Sequence, residues 1–527
     1  MKKILILIFV PFLSFSQELK TKFNWHNLDL KEDGVRGMST EKAYRELLKD
    51  KKSNTVIVGV IDSGIDIEHE DLKSNIWINK GEIAGNGIDD DKNGFIDDIN
   101  GWDFIGAKDG RDINQEQLES VRILKNLEGK FGGNPKKKLV KKNKAEFQLL
   151  QTLKKNIEEE RNEAQQYLPL YQGMLDRVTK AEEVLKKVVG KEELTKEDVV
   201  KINEADVDRS VRSAKQAWLN MIAMGATKAD LVDGVNHFKE QLEFNLNPGF
   251  NPREIIGDNL SELGYGSYGN NEVMGPDAMH GTHVAGIIGA NRKNEKGVKG
   301  VADNVKIMVI RCVPNGDERD KDVANAIKYA VDNGAQVINM SFGKAYSPEK
   351  KWVDEAVKYA ESKGVLLVSA AGNENENVDL VKHYPDRELL NGSEIKNWIV
   401  VGASNFVEGE ELPADFSNYG KKGVDVFAPG VAIFSTVPGS RYEEKQGTSM
   451  ASPTVAGVAA LLKSYFPTLN AAQIKQIILN SAEKIDDLKV NIPGGKEKAE
   501  FTDLCNTGGI VNAYNAVKMA IEITGKQ

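Results

Sequence analysis

The chain has 527 residues, enough for one large domain with a sizeable insertion or for two to three ordinary domains. An apolar fraction of 40% is that of a globular protein, and 28% of the residues are charged. The formal net charge of −9 argues against a nucleic-acid partner, which would call for a basic surface.

Met1-Lys2-Lys3 is a positive start, followed by the apolar run Ile4 to Phe15 and the small residues Ser14 and Ser16. This pattern predicts a signal peptide over 1–16, cleaved before Gln17, and export to the periplasm or the exterior. About a dozen apolar residues fall short of the roughly 20 needed to cross a bilayer, so no stable membrane insertion is expected after cleavage. An N-terminal segment, 17–54, leads to a continuous apolar run from Thr55, which predicts a buried parallel strand ending at Asp62. From about Asn79 to Gly110 the chain is rich in Gly, Asp and Asn and reads as loop.

Across 111–250 the texture changes: Lys and Glu dominate and glycine is sparse. Leu150, Leu153, Ile157, Ala164, Leu168, Tyr171, Leu175, Val178, Ala181 and Leu185 recur at steps of mostly three and four, which predicts a long amphipathic helix within an inserted hairpin or bundle. Asn134-Pro135 and Pro169 are expected to break or kink it. Such an insertion could serve a partner, although its basic run Lys136 to Lys144 reads first as a solvated face. After about Gly275, strand-like segments (VKIMVIRC, AQVINMS, GVLLVSAAGN, NWIVVGAS, VDVFAPG) alternate with amphipathic helical ones. The fold class is therefore α/β, a mainly parallel sheet covered by helices on both faces, with its site at the carboxyl ends of the strands. Cys312 and Cys505 are distant, belong to no CxxC pair, and are expected to be buried free thiols.

A hydroxyl nucleophile needs a base, a group that orients the base, and donors for an oxyanion. Each has a candidate here. Asp62 closes the first strand in VIDSGID, His280 opens HGTHVAG, and Ser449 sits in GTSMASP just before the apolar run VAGVAALLKSYF. At such a helix start the Ser449 N–H faces the positive end of the dipole, and Pro453 is tolerated in the first turn. Asn373, in SAAGNEN, offers an amide as the second oxyanion donor. His283, one turn after His280, is expected to be a structural hydrogen bonder.

DSGID, HGTHVAG and GTSMASP, in that order, resemble the three catalytic motifs of the subtilisin family, and AAGN resembles its oxyanion segment. The resemblance covers about Thr55 to Phe104 and Gly275 to Ala516. It implies a subtilisin-like three-layer fold and a serine endopeptidase acting on protein or peptide substrates through Asp62, His280 and Ser449, with Asn373 in the oxyanion hole and no organic cofactor. It also implies that Ser341, Phe342 and Gly343 pair with an extended substrate, with Ala371 and Gly372 beside them. On this reading 55–110 and 251–520 are two parts of one peptidase domain, split by 111–250. Many relatives carry a folded pro-segment, for which 17–54 is too short.

Structural calcium is the one cofactor expected. Asp89, Asp91, Asn93 and Asp97 occupy alternating positions of a calcium-loop pattern around Gly94, although Asn100 stands where a bidentate Glu would close it. The resemblance adds Asp71, at a position where the family often binds calcium.

Overall fold

The computed structural model describes residues 24–525, so the expected signal peptide lies outside the described residues. The chain divides into a helical unit, Ser120–Phe250, and a larger unit formed by the segments on either side of it. Residues 111–119 thus belong to the larger unit rather than to the insertion.

The helical unit is built from α1 (Glu119–Phe131), whose first residue still belongs to the larger unit, α2 (Lys137–Lys142), α3 (Lys144–Val189), α4 (Lys196–Val200), α5 (Arg209–Ala223) and α6 (Lys228–Glu240). Its spine, α3, buries seven of the ten stripe residues read from the sequence and half-buries Leu168, Tyr171 and Leu175, and α5 and α6 pack along it. Val178, Ala181 and Leu185 form one apolar core with Val199, Trp218, Met221 and Leu231. Thr195–Asp198 and Thr227–Asp230 are reciprocal caps that satisfy the otherwise unpaired N–H groups starting α4 and α6. Asn134-Pro135 does separate α1 from α2, but α3 runs on through Pro169. Pro169 and Gln165, whose carbonyl would have accepted the missing N–H, are both exposed, so water can satisfy the freed group.

The larger unit is organised by a nine-stranded sheet with the short strands β10 (Glu483–Lys484) and β11 (Gly509–Ile510) at one edge, in the order β10-β11-β7-β6-β5-β4-β1-β3-β2. Its central strands are β1 (Val56–Asp62), β3 (Val305–Arg311), β4 (Val337–Met340), β5 (Leu366–Ala370), β6 (Trp398–Ser404) and β7 (Val426–Pro429), all parallel. The stretch 79–110, expected to be loop, contains the short edge strand β2 (Gly101–Asp103). The hairpin of β8 (Ile433–Val437) and β9 (Arg441–Lys445) is not among the expected strands.

Side chains alternate across the sheet, as the two-residue period requires. Val58, Val60, Ile307 and Val309 face α7 (Met279–Gly289) and α10 (Thr448–Tyr465), while Ile61, Met308 and Ile310 face α8 (Asp320–Asp332) and α9 (Lys350–Ser362). Nearly every residue of α10 is buried, as the apolar run after GTSMASP foretold, and α11 (Ala471–Asn480) and α12 (Ala513–Thr524) complete that layer. The N-terminal segment joins the same core. Trp25, Met38, Ala43 and Leu48 are buried in it, and the Trp25 indole donates to the Ala432 carbonyl at 3.0 Å. Cys312 and Cys505 are buried and unlinked. Among the described residues no helix is long and apolar enough to cross a membrane.

Candidate active site

Asp62 is the last residue of β1, the third strand from one edge of the sheet, and is 1% exposed. Its Oδ1 accepts from the Ser63 N–H at 2.8 Å and from His280 Nδ1 at 2.7 Å. His280 is the second residue of α7, and a glycine lets that helix approach. A Cβ on Gly281 would lie 2.2 Å from the Gly64 carbonyl oxygen, so no other residue fits here without moving the helix. The β8–β9 hairpin braces the same helix: Ser435 and Thr436 hydroxyls donate to the His283 and Thr282 carbonyls, each at 2.7 Å. Burial alone would lower the His280 pKa, but the Asp62 carboxylate more than offsets this and the net shift is upward. His283 is fully buried, bonds to the Glu443 carbonyl at 3.0 Å, and is pushed down to about 3 by burial.

Ser449 is the second residue of α10, which is preceded by Gly447 with φ +149, a conformation that suits glycine. Its hydroxyl donates to the Ser341 carbonyl at 3.1 Å, and among the described residues it makes no hydrogen bond to His280. The Ser341 hydroxyl in turn donates to the Ser449 carbonyl at 2.9 Å. Behind this pair Asn339, fully buried on β4, donates to the Ser341 Oγ and accepts from the Ser452 hydroxyl. Asn339 went unnoticed in the sequence, where VINMS reads as an ordinary buried strand.

Asn373 follows β5, beside the start of α10. Its Oδ1 accepts from both the Thr448 N–H and the Thr448 hydroxyl, at 2.9 and 3.0 Å. That fixes which way the amide points and leaves its NH2 without a partner among the described residues. Thr448, within GTSMASP, was also overlooked; its hydroxyl further accepts from the Gly372 N–H at 3.2 Å. Ser341, Phe342 and Gly343 continue β4, and Ala371 and Gly372 continue its neighbour β5. All nine of these residues therefore stand at the carboxyl ends of β1, β4 and β5 or at the starts of α7 and α10.

The expected calcium loop is rearranged. The Asp89 carboxylate accepts from the Asn93 and Gly94 N–H groups, and that of Asp97 from Gly85, Asn86 and Gly87. Both thus turn the backbone, and Asn93 bridges Asp91 and Asp98 through its amide. Of the predicted residues only Asp91 joins a carboxylate group, with Glu82 and Asp98, their oxygens within 4.8 Å of one another. Burial, with help from the Asp91 charge, raises Asp98 to about 6 despite hydrogen bonds from Tyr329, Asn79 and Asn93. Asp71, fully buried, is already held by Asn294 Nδ2 at 2.5 Å, the Val298 N–H at 3.1 Å and the Tyr442 hydroxyl at 3.4 Å.

The subtilase family model matches residues 53–501. A thermophilic serine proteinase of Bacillus sp. (strain AK1) is 40% identical over 45% of this chain and 52% of its own length. Subtilisin DY of Bacillus licheniformis is 36% identical over 43% of this chain and 79% of that protein, and thermitase of Thermoactinomyces vulgaris is 38% identical over 45% and 75%. The chain thus spans about half the length of the first relative and about three quarters of the other two. A match over most of its length, on a helix-covered parallel sheet, makes the chain a member of the subtilase family of subtilisin-like serine peptidases.

Proposed function

We propose that this chain is an exported serine endopeptidase that hydrolyses peptide bonds through an acyl-enzyme. The observation that carries the reading is the 2.7 Å contact between His280 Nδ1 and the buried Asp62 carboxylate, supported by Ser449 standing in the first turn of α10. In this reading Asp62 holds the imidazole with Nδ1 protonated, so Nε2 is free to act as a base. The Ser449 hydroxyl leaves the Ser341 carbonyl, gives its proton to His280 and attacks the substrate carbonyl. The oxyanion that forms meets two donors, the Asn373 amide, pre-aimed by Thr448, and the Ser449 N–H at the helix start. His280 then returns the proton to the leaving amine, and water completes the cycle.

An extended substrate would add a strand along Ser341–Gly343. Phe342 and Gly343 have no backbone hydrogen-bond partner among the described residues, which suits that role. The test is direct: the purified chain should cleave a denatured protein substrate, and Ser449→Ala should remove nearly all turnover while leaving the circular dichroism spectrum unchanged. Substantial cleavage by Ser449→Ala would refute the assignment.

We also propose that calcium sits at Glu82, Asp91 and Asp98. Three carboxylates this close repel one another unless a cation or a proton intervenes, and oxygen ligands suit a hard cation. Its role would be to hold the 79–100 loop against the sheet, remote from the chemical steps.

A further inference from the structure

Lys344 is buried, with 5% of its surface exposed, in the residue following Gly343. A lysine is seldom buried without a reason. Its Nζ lies 2.8 Å from Glu119 Oε2, 2.9 Å from Asp320 Oδ1 and 2.6 Å from the Glu318 carbonyl oxygen. Glu119 and Asp320 are themselves buried, at 6% and 5% exposure. The Asp320 carboxylate also takes the Ser347 hydroxyl at 2.9 Å and the Glu349 N–H at 2.8 Å, so it grips the chain beyond Lys344 as well. The Lys344 backbone exchanges two hydrogen bonds with Tyr384, at 2.8 and 2.9 Å.

The segment after β4 is thus fastened at both ends. At the near end Ser341 is tied to Ser449 through carbonyl and hydroxyl. At the far end Lys344 is tied by its backbone to Tyr384 and by its side chain to the segment 318–320, which follows β3. Between the two fastenings lie Phe342 and Gly343, half-exposed and exposed, with their backbone groups open. A strand that will accept a peptide must be held extended before the peptide arrives, because ordering it on binding would weaken affinity.

We propose that Lys344 is a positioning residue for substrate. Its ammonium, between Glu119 and Asp320, holds Phe342 and Gly343 extended so that they pair with the residues preceding the scissile bond. This rests on the peptidase reading above, with substrate lying along Ser341–Gly343. The contribution falls on substrates long enough to use that edge. A single-residue ester engages the serine and the oxyanion donors and gains little from it.

The experiment compares a blocked single-residue ester with a tetrapeptide anilide, using full-length enzyme whose active sites are counted with a fluorophosphonate. Lys344→Met should raise KM for the tetrapeptide about tenfold or more, with kcat per titrated site and ester hydrolysis within about twofold of wild type. Lys344→Arg, which keeps the cation, should restore most of the tetrapeptide KM. Glu119→Gln leaves the lysine in place, removes one charged partner and should raise the same KM about threefold; it carries the test if Lys344→Met does not fold. An unchanged tetrapeptide KM in fully titrating enzyme would overturn the proposal, as would equal losses on ester and peptide. Wild-type enzyme that cannot be titrated at all would instead overturn the peptidase reading on which it rests.

Discussion

His280 sets the expected pH behaviour. It must be neutral to accept the Ser449 proton, and Asp62 lifts its pKa above the usual value of about 6.5. Activity should therefore fall as pH drops, with a midpoint above about 6.5 in the kcat/KM profile. Asp62→Asn should move that midpoint down and cut turnover by roughly 10⁴-fold, because the imidazole loses the carboxylate that holds the proton on Nδ1, and an amide NH2 there favours the wrong tautomer. The sign for stability is the reverse of that for activity. A raised folded pKa means the protonated ring stabilises the fold fully below the unfolded pKa, and that contribution is lost as pH rises through the folded value. Asn373→Leu should cost roughly 100- to 1000-fold in turnover, the usual effect of removing one oxyanion donor, with KM little changed. Asp62, His280, Asn373 and Ser449 were legible because each lies inside a short motif whose neighbours say what it does. Asn339 and Thr448 were not: Asn339 reads as an ordinary buried strand residue although Ser452, which it meets, is 113 residues on, and Thr448, although inside GTSMASP, acts on Asn373, 75 residues away.

At the scale of elements, close approach and loop chemistry make separate predictions. Gly281→Ala places a Cβ against the Gly64 carbonyl, so α7 must shift and carry His280 off Asp62. Activity should fall well beyond any loss of stability, measured as kcat per folded molecule. In the 79–100 loop, calcium that binds only the native state adds RT ln(1 + [L]/Kd), about 2.7 kcal/mol at 100 times Kd. Chelator should lower the melting temperature of metal-loaded protein. Glu82→Gln combined with Asp98→Asn should abolish that response, and Asp89→Asn should leave it in place. A melting curve indifferent to chelator would remove the calcium proposal. The loop shows where pattern reading gives out. Alternating acids suggest ligands at every second position; in the structure two of them also turn the backbone, and the carboxylates that cluster with Asp91 come from either end of the loop. The long helix shows the opposite. Its stripe was readable from spacing alone, and only the effect of Pro169 differed, since an exposed proline leaves its carbonyl partner to water.

For the whole molecule, the two units have separate cores, and the parallel sheet was evident because buried strands read as continuous apolar runs. The short strands β10 and β11 at the far edge were not, being too brief for any periodicity. The segment 24–52 is part of the larger core. Trp25→Ala should therefore destabilise by about 3–5 kcal/mol, seen as a lower urea midpoint, as for other buried aromatic truncations. The central claim is that Ser449 is a nucleophile activated by this fold, and one measurement tests it most directly. Native protein is treated with a fluorophosphonate and digested, and the modified residue is located by mass spectrometry. The account predicts one adduct per chain, on Ser449, lost when the protein is unfolded first and lost in His280→Ala. Native, folded protein that acquires no adduct, or acquires it on another serine, would contradict it.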